Sequence, residues 1–182
     1  MVKKRLLILD INGIICFKSS NKDSKEYRKG DEESLKLPSY KIFKFNGIED
    51  FIQWCLDNYD VAIWSSTTHR NASEMLKLCN IDISKFKFVW YRDRTELDPE
   101  YKINKDITRY NTVKNLERIW SNPINVYRQY SSKNTLIIDD DHMKVRFNDK
   151  DNVFIVNNFY DLKREDIVDR FNNLEFKNLS IK

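Results

Sequence analysis

Lys4-Arg5-Leu6-Leu7-Ile8-Leu9-Asp10-Ile11-Asn12-Gly13-Ile14 is the stretch whose reading decides the fold. Four consecutive apolar residues run into a carboxylate, and polar or small residues then turn the chain. A short unbroken apolar run suits a strand buried on both faces of a parallel α/β sheet. Ligands in such sheets sit beyond the carboxyl ends of the strands, which is where Asp10 stands. Gly13 permits the tight backbone of a loop folded over a small anion or a metal. The same residues also suit a first strand whose terminal Asp only caps a turn.

The chain around this strand has 182 residues, enough for one sizeable core. It carries 32 basic and 28 acidic residues, a net charge of +4. That excess is too mild to indicate direct nucleic-acid binding, and it leans towards an anionic substrate. Only three glycines and three prolines argue against long linkers, so residues 1–182 are read as a single domain. Cys16, Cys55 and Cys79 form no CxxC pair and no leader-like pattern precedes them. A reducing intracellular compartment, cytoplasmic or nuclear, is the expectation. No apolar run is long enough for a membrane span, and His69 and His142 lack the spacing of a zinc site.

Residues 17–39 are polar and highly charged, which predicts a solvated surface loop or a flap over a substrate. Residues 40–45 read as a short, partly exposed strand. Ile48, Phe51, Ile52, Cys55 and Leu56 recur at helical spacing, with Trp54 at the edge of the stripe. Residues 59–64 predict a second core strand ending in Ser65-Ser66-Thr67-Thr68, hydroxyls at a strand-to-helix junction that serve as N-caps or as an anion site. A helix over 71–79 and a strand over 86–91 follow, then a polar excursion over 92–110. Lys114 sits in a short apolar pattern and, taken alone, reads as one lysine among many. Residues 134–138 predict a fourth strand running into Asp139-Asp140-Asp141. Adjacent carboxylates repel unless a cation compensates, so they read as turn caps or as a Mg²⁺ site. Residues 153–156 predict a fifth strand, and 161–171 a closing helix with Leu162, Ile167, Val168 and Phe171 inward.

Two strands thus end in carboxylates, one ends in Ser/Thr, and a lysine lies between them in sequence. That set fits phosphoryl transfer through an aspartate, with hydroxyl, backbone N–H and ammonium groups holding the phosphoryl oxygens. The stretches Leu6-Leu7-Ile8-Leu9-Asp10, Asp60-Val61-Ala62-Ile63-Trp64-Ser65-Ser66-Thr67, Val113-Lys114-Asn115-Leu116-Glu117-Arg118-Ile119-Trp120 and Ser132-Lys133-Asn134-Thr135-Leu136-Ile137-Ile138-Asp139-Asp140 add a resemblance. In order and spacing the chain resembles the haloacid dehalogenase superfamily of Asp-dependent phosphatases. Within it, the chain is similar to the FCP1-homology branch, whose members include ubiquitin-like-domain-containing phosphatases of the RNA polymerase II C-terminal domain (CTD).

The resemblance implies a Rossmann-like parallel sheet flanked by helices, with a small β insertion and no large cap domain. It implies a Mg²⁺-dependent phosphatase acting on phosphoserine or phosphothreonine in proteins, the RNA polymerase II C-terminal domain being one such substrate. Asp10 would be the nucleophile, Ser65, Ser66 and Lys114 would bind the phosphoryl group, and Asp10, Asn12, Asp139 and Asp140 would surround the metal. The family pattern has a second Asp, the general acid/base, where this chain has Asn12. An amide exchanges no proton at neutral pH, so the same pattern also suits a slow enzyme or a pseudophosphatase that binds phosphopeptides or partners.

Overall fold

The computed structural model describes residues 5–20, 32–37, 40–100, 112–124 and 127–179. Strand β1 (Leu6–Leu9) is the axis of the fold, and all four of its side chains are buried. Each such side chain contributes about 1.5–3 kcal/mol by leaving water. β1 pairs in parallel with β5 (Asp60–Trp64) on one side and β9 (Thr135–Asp139) on the other. β6 (Val89–Trp90) and β10 (Val153–Ile155) complete a five-stranded parallel sheet of order β10-β9-β1-β5-β6.

Side chains alternate across the sheet, as the period of two requires. Leu7, Leu9, Val61, Ile63, Leu136 and Ile138 face one layer of helices. That layer holds α1 (Ile48–Asn58), α2 (His69–Leu78) and α5 (Arg164–Leu179). Leu6, Ile8, Ala62, Trp64 and Ile137 face the other layer. There they meet Leu116, Ile119, Tyr127, Tyr130 and Val145, from around the short helices α3 (Glu117–Trp120) and α4 (His142–Val145). Leu116 to Trp120 therefore packs as a one-turn plug under the sheet rather than as a long crossover helix.

Gly47, at φ 82, turns the chain into α1, a left-handed conformation that costs a residue with Cβ. Glu49 and Asp50 in the first turn complement the helix dipole. In α5 the inner face is Ile167, Phe171 and Leu174, whereas Val168 is 36% exposed. The expected inward Val168 is thus corrected: α5 continues to Leu179, and Leu174 rather than Val168 extends the buried stripe.

The expected loop over 17–39 is corrected in part. β2 (Cys16–Ser20) and β3 (Glu32–Leu37) lie within it and pair antiparallel with β4 (Tyr40–Lys44), in the order β2-β4-β3. This is the small β insertion. Its intervening residues 21–31, where a flap was expected, lie outside the described residues. β7 (Glu96–Leu97) and β8 (Thr112–Val113) pair as a second, shorter ribbon. No helix among the described residues is long and apolar enough to cross a membrane.

Candidate active site

The carboxyl ends of β1, β5 and β9 meet at one place. Asp10 N–H donates to Ile138 O at 3.0 Å, which continues the β1–β9 ladder to the last residue before the turn. Leu9 stands in register with Ile63 and Ile138. Asp10 and Asp139 therefore project from neighbouring strand ends, and Ser65 lies just beyond β5 beside them. Both carboxylates are buried, at 1% and 0% exposure.

Between them sits Lys114, itself 0% exposed. Its Nζ donates to Asp10 Oδ1 and to Asp139 Oδ2, each at 2.6 Å. Burial works against the ammonium charge, but the two carboxylates outweigh it and hold Lys114 protonated beyond its ordinary range. Removing one partner from a buried ion set of this kind typically costs about 3–5 kcal/mol. The lysine that sequence alone made ordinary is the cation at the centre of the site.

The three consecutive aspartates take different tasks. Asp141 is the N-cap of α4: its Oδ1 accepts Met143 N–H at 3.1 Å, and its own N–H donates to Asp139 Oδ1 at 2.9 Å. Asp140 turns towards the nucleophile loop instead. Asp10, Asp139 and Asp140 each offer an oxygen within 4.8 Å of the others. Gly13, at φ +88, passes so close that an added Cβ would lie 2.3 Å from Asp140 Oδ2. The glycine is thus needed for a close approach to a carboxylate as well as for its backbone angle.

Three carboxylates share one directly bonded ammonium, Lys114, with Lys144 acting on Asp139 and Asp140 while it faces Asp141, which leaves an excess of negative charge. Burial, then the charges of Asp10 and Asp139, push Asp140 from an ordinary 3.8 up to about 7. Burial likewise raises Asp139, with Lys114 opposing. Asp140 Oδ1 is buried with no hydrogen-bond partner among the described residues. An orphaned buried oxygen costs about 1–3 kcal/mol. Clustered hard oxygens, uncompensated charge and an orphaned atom together fit a small divalent cation such as Mg²⁺.

A pH signature follows. The folded state holds a proton on Asp140 that the unfolded chain releases above about pH 4, so this group's contribution to the metal-free fold is fully present below about pH 4, falls as pH rises from about 4 to 7, and is gone above about 7. In EDTA, wild type should lose Tm relative to Asp140→Asn between about pH 4 and 7 and run parallel to it above about 7, and Mg²⁺ should offset the loss at the higher pH. Tm-versus-pH curves for the two proteins that run parallel from about pH 4 to 7 as well would contradict this assignment.

The phosphate-side residues lie on the β5–α2 connection. Ser65 is buried, its N–H donates to Trp90 O at 2.9 Å, and its Oγ accepts Thr67 N–H at 3.1 Å. Ser66 Oγ is buried without a partner among the described residues. Thr68 is the N-cap position of α2, although its side chain makes no capping bond. Arg92 Nε donates to Ser66 O at 2.7 Å, tying a cation to this loop.

Asn12 lies on the opposite loop, half-buried. Its Oδ1 accepts Lys18 N–H at 2.9 Å, so the carboxamide anchors β2 to the nucleophile turn. Sequence reasoning passed over Lys18. Burial lowers its pKa and nearby Arg92 adds to the effect, with Nζ 3.9 Å over the Tyr40 ring. It also passed over Asn148, whose side chain reaches the Lys114 backbone. A lone Asn or Lys in a polar stretch carries no periodic or motif signal that could have singled either out.

The five-stranded parallel sheet flanked by helices is a haloacid dehalogenase-like fold of the FCP1-homology kind. The chain belongs to the family of NLI interacting factor-like phosphatases, whose sequence profile matches residues 5–179. It is 29% identical over 94 residues to ubiquitin-like domain-containing CTD phosphatase 1 of Drosophila melanogaster, covering 51% of this chain and 27% of that protein. It is 23% identical over 152 residues to an uncharacterized FCP1 homology domain-containing protein of Schizosaccharomyces pombe, covering 78% of this chain and 56% of that protein. Two solved structures share the fold at TM-score 0.53. One is Fcp1, described as an essential RNA polymerase II CTD phosphatase, at 18% identity over 96% of this chain and 50% of that chain. The other is fission yeast Fcp1 bound to beryllium fluoride, at 16% identity over 96% of this chain and 52% of that chain. The chain thus spans from about a quarter to about half of the proteins it matches.

Proposed function

We propose that this protein is a Mg²⁺-dependent phosphatase that removes phosphate from serine or threonine in proteins through a phosphoaspartate on Asp10. The observation that carries the reading is the buried set of Asp10, Lys114 and Asp139, with Asp140 beside it. Asp10, Asp139 and Asp140, with Asn12 through its backbone carbonyl, would hold Mg²⁺, which would supply positive charge to the site when bound.

Asp10 attacks phosphorus with a carboxylate oxygen, the P–O bond to the serine or aryl oxygen breaks, and the phosphoryl group rests on Asp10. Lys114 is fixed in charge and place, so it meets the equatorial oxygens without reorganisation. Ser65, Ser66 and the first N–H groups of α2 take the remaining oxygens. Water then releases phosphate from Asp10. Asn12 offers no proton to the leaving oxygen and no base to that water, so both steps are slow for an alkoxide leaving group.

Phosphoprotein substrates are the class this reading assigns, with the RNA polymerase II C-terminal domain as one candidate, in an intracellular, nuclear or cytoplasmic, setting. Residues 1–182 form one domain in this reading. A second reading, a phosphopeptide- or partner-binding pseudophosphatase, draws on Asn12, whose Oδ1 is engaged by Lys18 N–H.

Turnover of an aryl phosphate and of a phosphoserine peptide, each with Mg²⁺ and with EDTA, decides between them. The enzyme reading expects Mg²⁺-dependent turnover of both, faster for the aryl phosphate. Tight peptide binding with no turnover of either would establish the second reading.

A further inference from the structure

Lys114 lies between β8 and α3, on neither element. Its place is set by the segment that follows the acidic cluster. Lys114 N–H donates to Lys144 O at 2.7 Å. Asn148 spans the rest of the turn: its Oδ1 accepts Leu116 N–H at 2.7 Å, and its Nδ2 donates to Lys114 O at 2.7 Å and to Val145 O at 2.8 Å. A carboxamide is the side chain that supplies both the acceptor and the donors. The same segment begins at Asp141, whose N–H meets Asp139 Oδ1. One short run of chain therefore touches Asp139 at one end and grips the Lys114 backbone at the other.

We propose that Asn148 is a positioning residue for Lys114, holding its backbone where the ammonium reaches Asp10 and Asp139 together. The catalytic consequence rests on the phosphatase reading of the site; the positioning itself does not. Misplacement of a charged group by about 1 Å costs up to roughly 10²-fold in a preorganised site.

Asn152 provides the contrast. It is buried, and its Nδ2 donates to Ser132 O and Thr135 O, both at 2.7 Å. Those contacts lie at the opposite, N-terminal end of β9. Two carboxamides thus bridge loop carbonyls, one at the site and one away from it.

The experiment compares Asn148→Ala, Asn148→Asp and Asn152→Ala, alone and combined with Lys114→Met. Tm and orthovanadate affinity with Mg²⁺ are measured for each, and acylation of Lys114 by an activated ester, read by mass spectrometry, for wild type and the variants that keep Lys114. Asn148→Asp keeps an acceptor for Leu116 N–H and loses both donors, so it serves if the alanine variant does not fold. The expected result is a loss of Tm in all three. Only the Asn148 variants should weaken orthovanadate, by roughly 10-fold to 10²-fold, and only they should expose Lys114 to acylation. With Lys114→Met present, Asn148 substitution should weaken orthovanadate no further. Unchanged Lys114 acylation in the Asn148 variants, or equal acylation in Asn152→Ala, would overturn the proposal. So would an equal orthovanadate loss with and without Lys114→Met. Failure of wild type to bind orthovanadate would count against the phosphatase reading alone, because the acylation contrast still decides the positioning.

Discussion

Asp10→Asn should abolish Mg²⁺-dependent turnover, by about 10⁴-fold or more, and leave the fold in place. The magnitude follows from chemistry: an amide oxygen is a poor nucleophile towards phosphorus, and removal of a covalent nucleophile collapses a concerted site. Persistence of the fold follows from the geometry. Asparagine has the shape of the carboxylate it replaces, and its Oδ1 can still accept from Lys114, which keeps its second partner, Asp139, at 2.6 Å. The substitution also removes one negative charge from a crowded cluster, relieving Asp140 and Asp139. Steady-state rates and a thermal melt check both halves. Wild-type activity in the variant would remove Asp10 from the mechanism.

Asn12→Asp is the second large effect, and its sign is opposite. The new carboxylate would have a partner ready, because Lys18 N–H already donates to the oxygen at this position. General acid/base catalysis is worth about 10²–10⁴-fold. Phosphoserine turnover should therefore rise by roughly 10²-fold or more. Cleavage of an aryl phosphate should gain less in its first step, because a phenolate leaves without full protonation. Pre-steady-state kinetics on both proteins with both substrates separates the steps. Unchanged phosphoserine turnover would mean that another group supplies the proton.

The central sheet was legible because β1, β5 and β9 carry short apolar runs that lead into polar residues, a pattern that suits a strand covered on both faces. Of the β insertion, the residue pattern marked only its central strand β4, as the strand read over 40–45; β2 and β3 fell within the expected loop. β2 and β3 are short and mostly polar, and β3 is irregular between Glu33 and Leu35. A hydrophobic period has little to record in those two strands. The strand expected over 86–91 shrinks to Val89–Trp90 because pairing with β5 involves only Ile63 and Trp64. Phe86 and Phe88 are nonetheless buried, so apolar character there reports packing and not pairing.

At the site, sequence brought forward Asp10, Asn12, Ser65, Ser66, Lys114, Asp139 and Asp140, and the fold sets Asp10, Lys114, Asp139 and Asp140 in one cluster. It could not divide the aspartate triplet. Asp141 became the helix cap because a residue there can reach Met143 N–H, and Asp140 turned under Gly13. Asn148 was invisible, since its importance comes from contacts with residues 32 and 34 positions away in the chain.

The central claim is a covalent phosphoryl group on Asp10, and acid quenching in the steady state tests it most directly. With Asn12 unable to activate water, breakdown of the phosphoaspartate should lag its formation, so the intermediate accumulates on an aryl phosphate. Mass spectrometry of the peptide containing Asp10 should then show the mass of one phosphoryl group in Mg²⁺, none in EDTA, none in Asp10→Asn, and less in Asn12→Asp. Turnover with no phosphoryl group on that peptide, or with the group on another residue, would contradict the account.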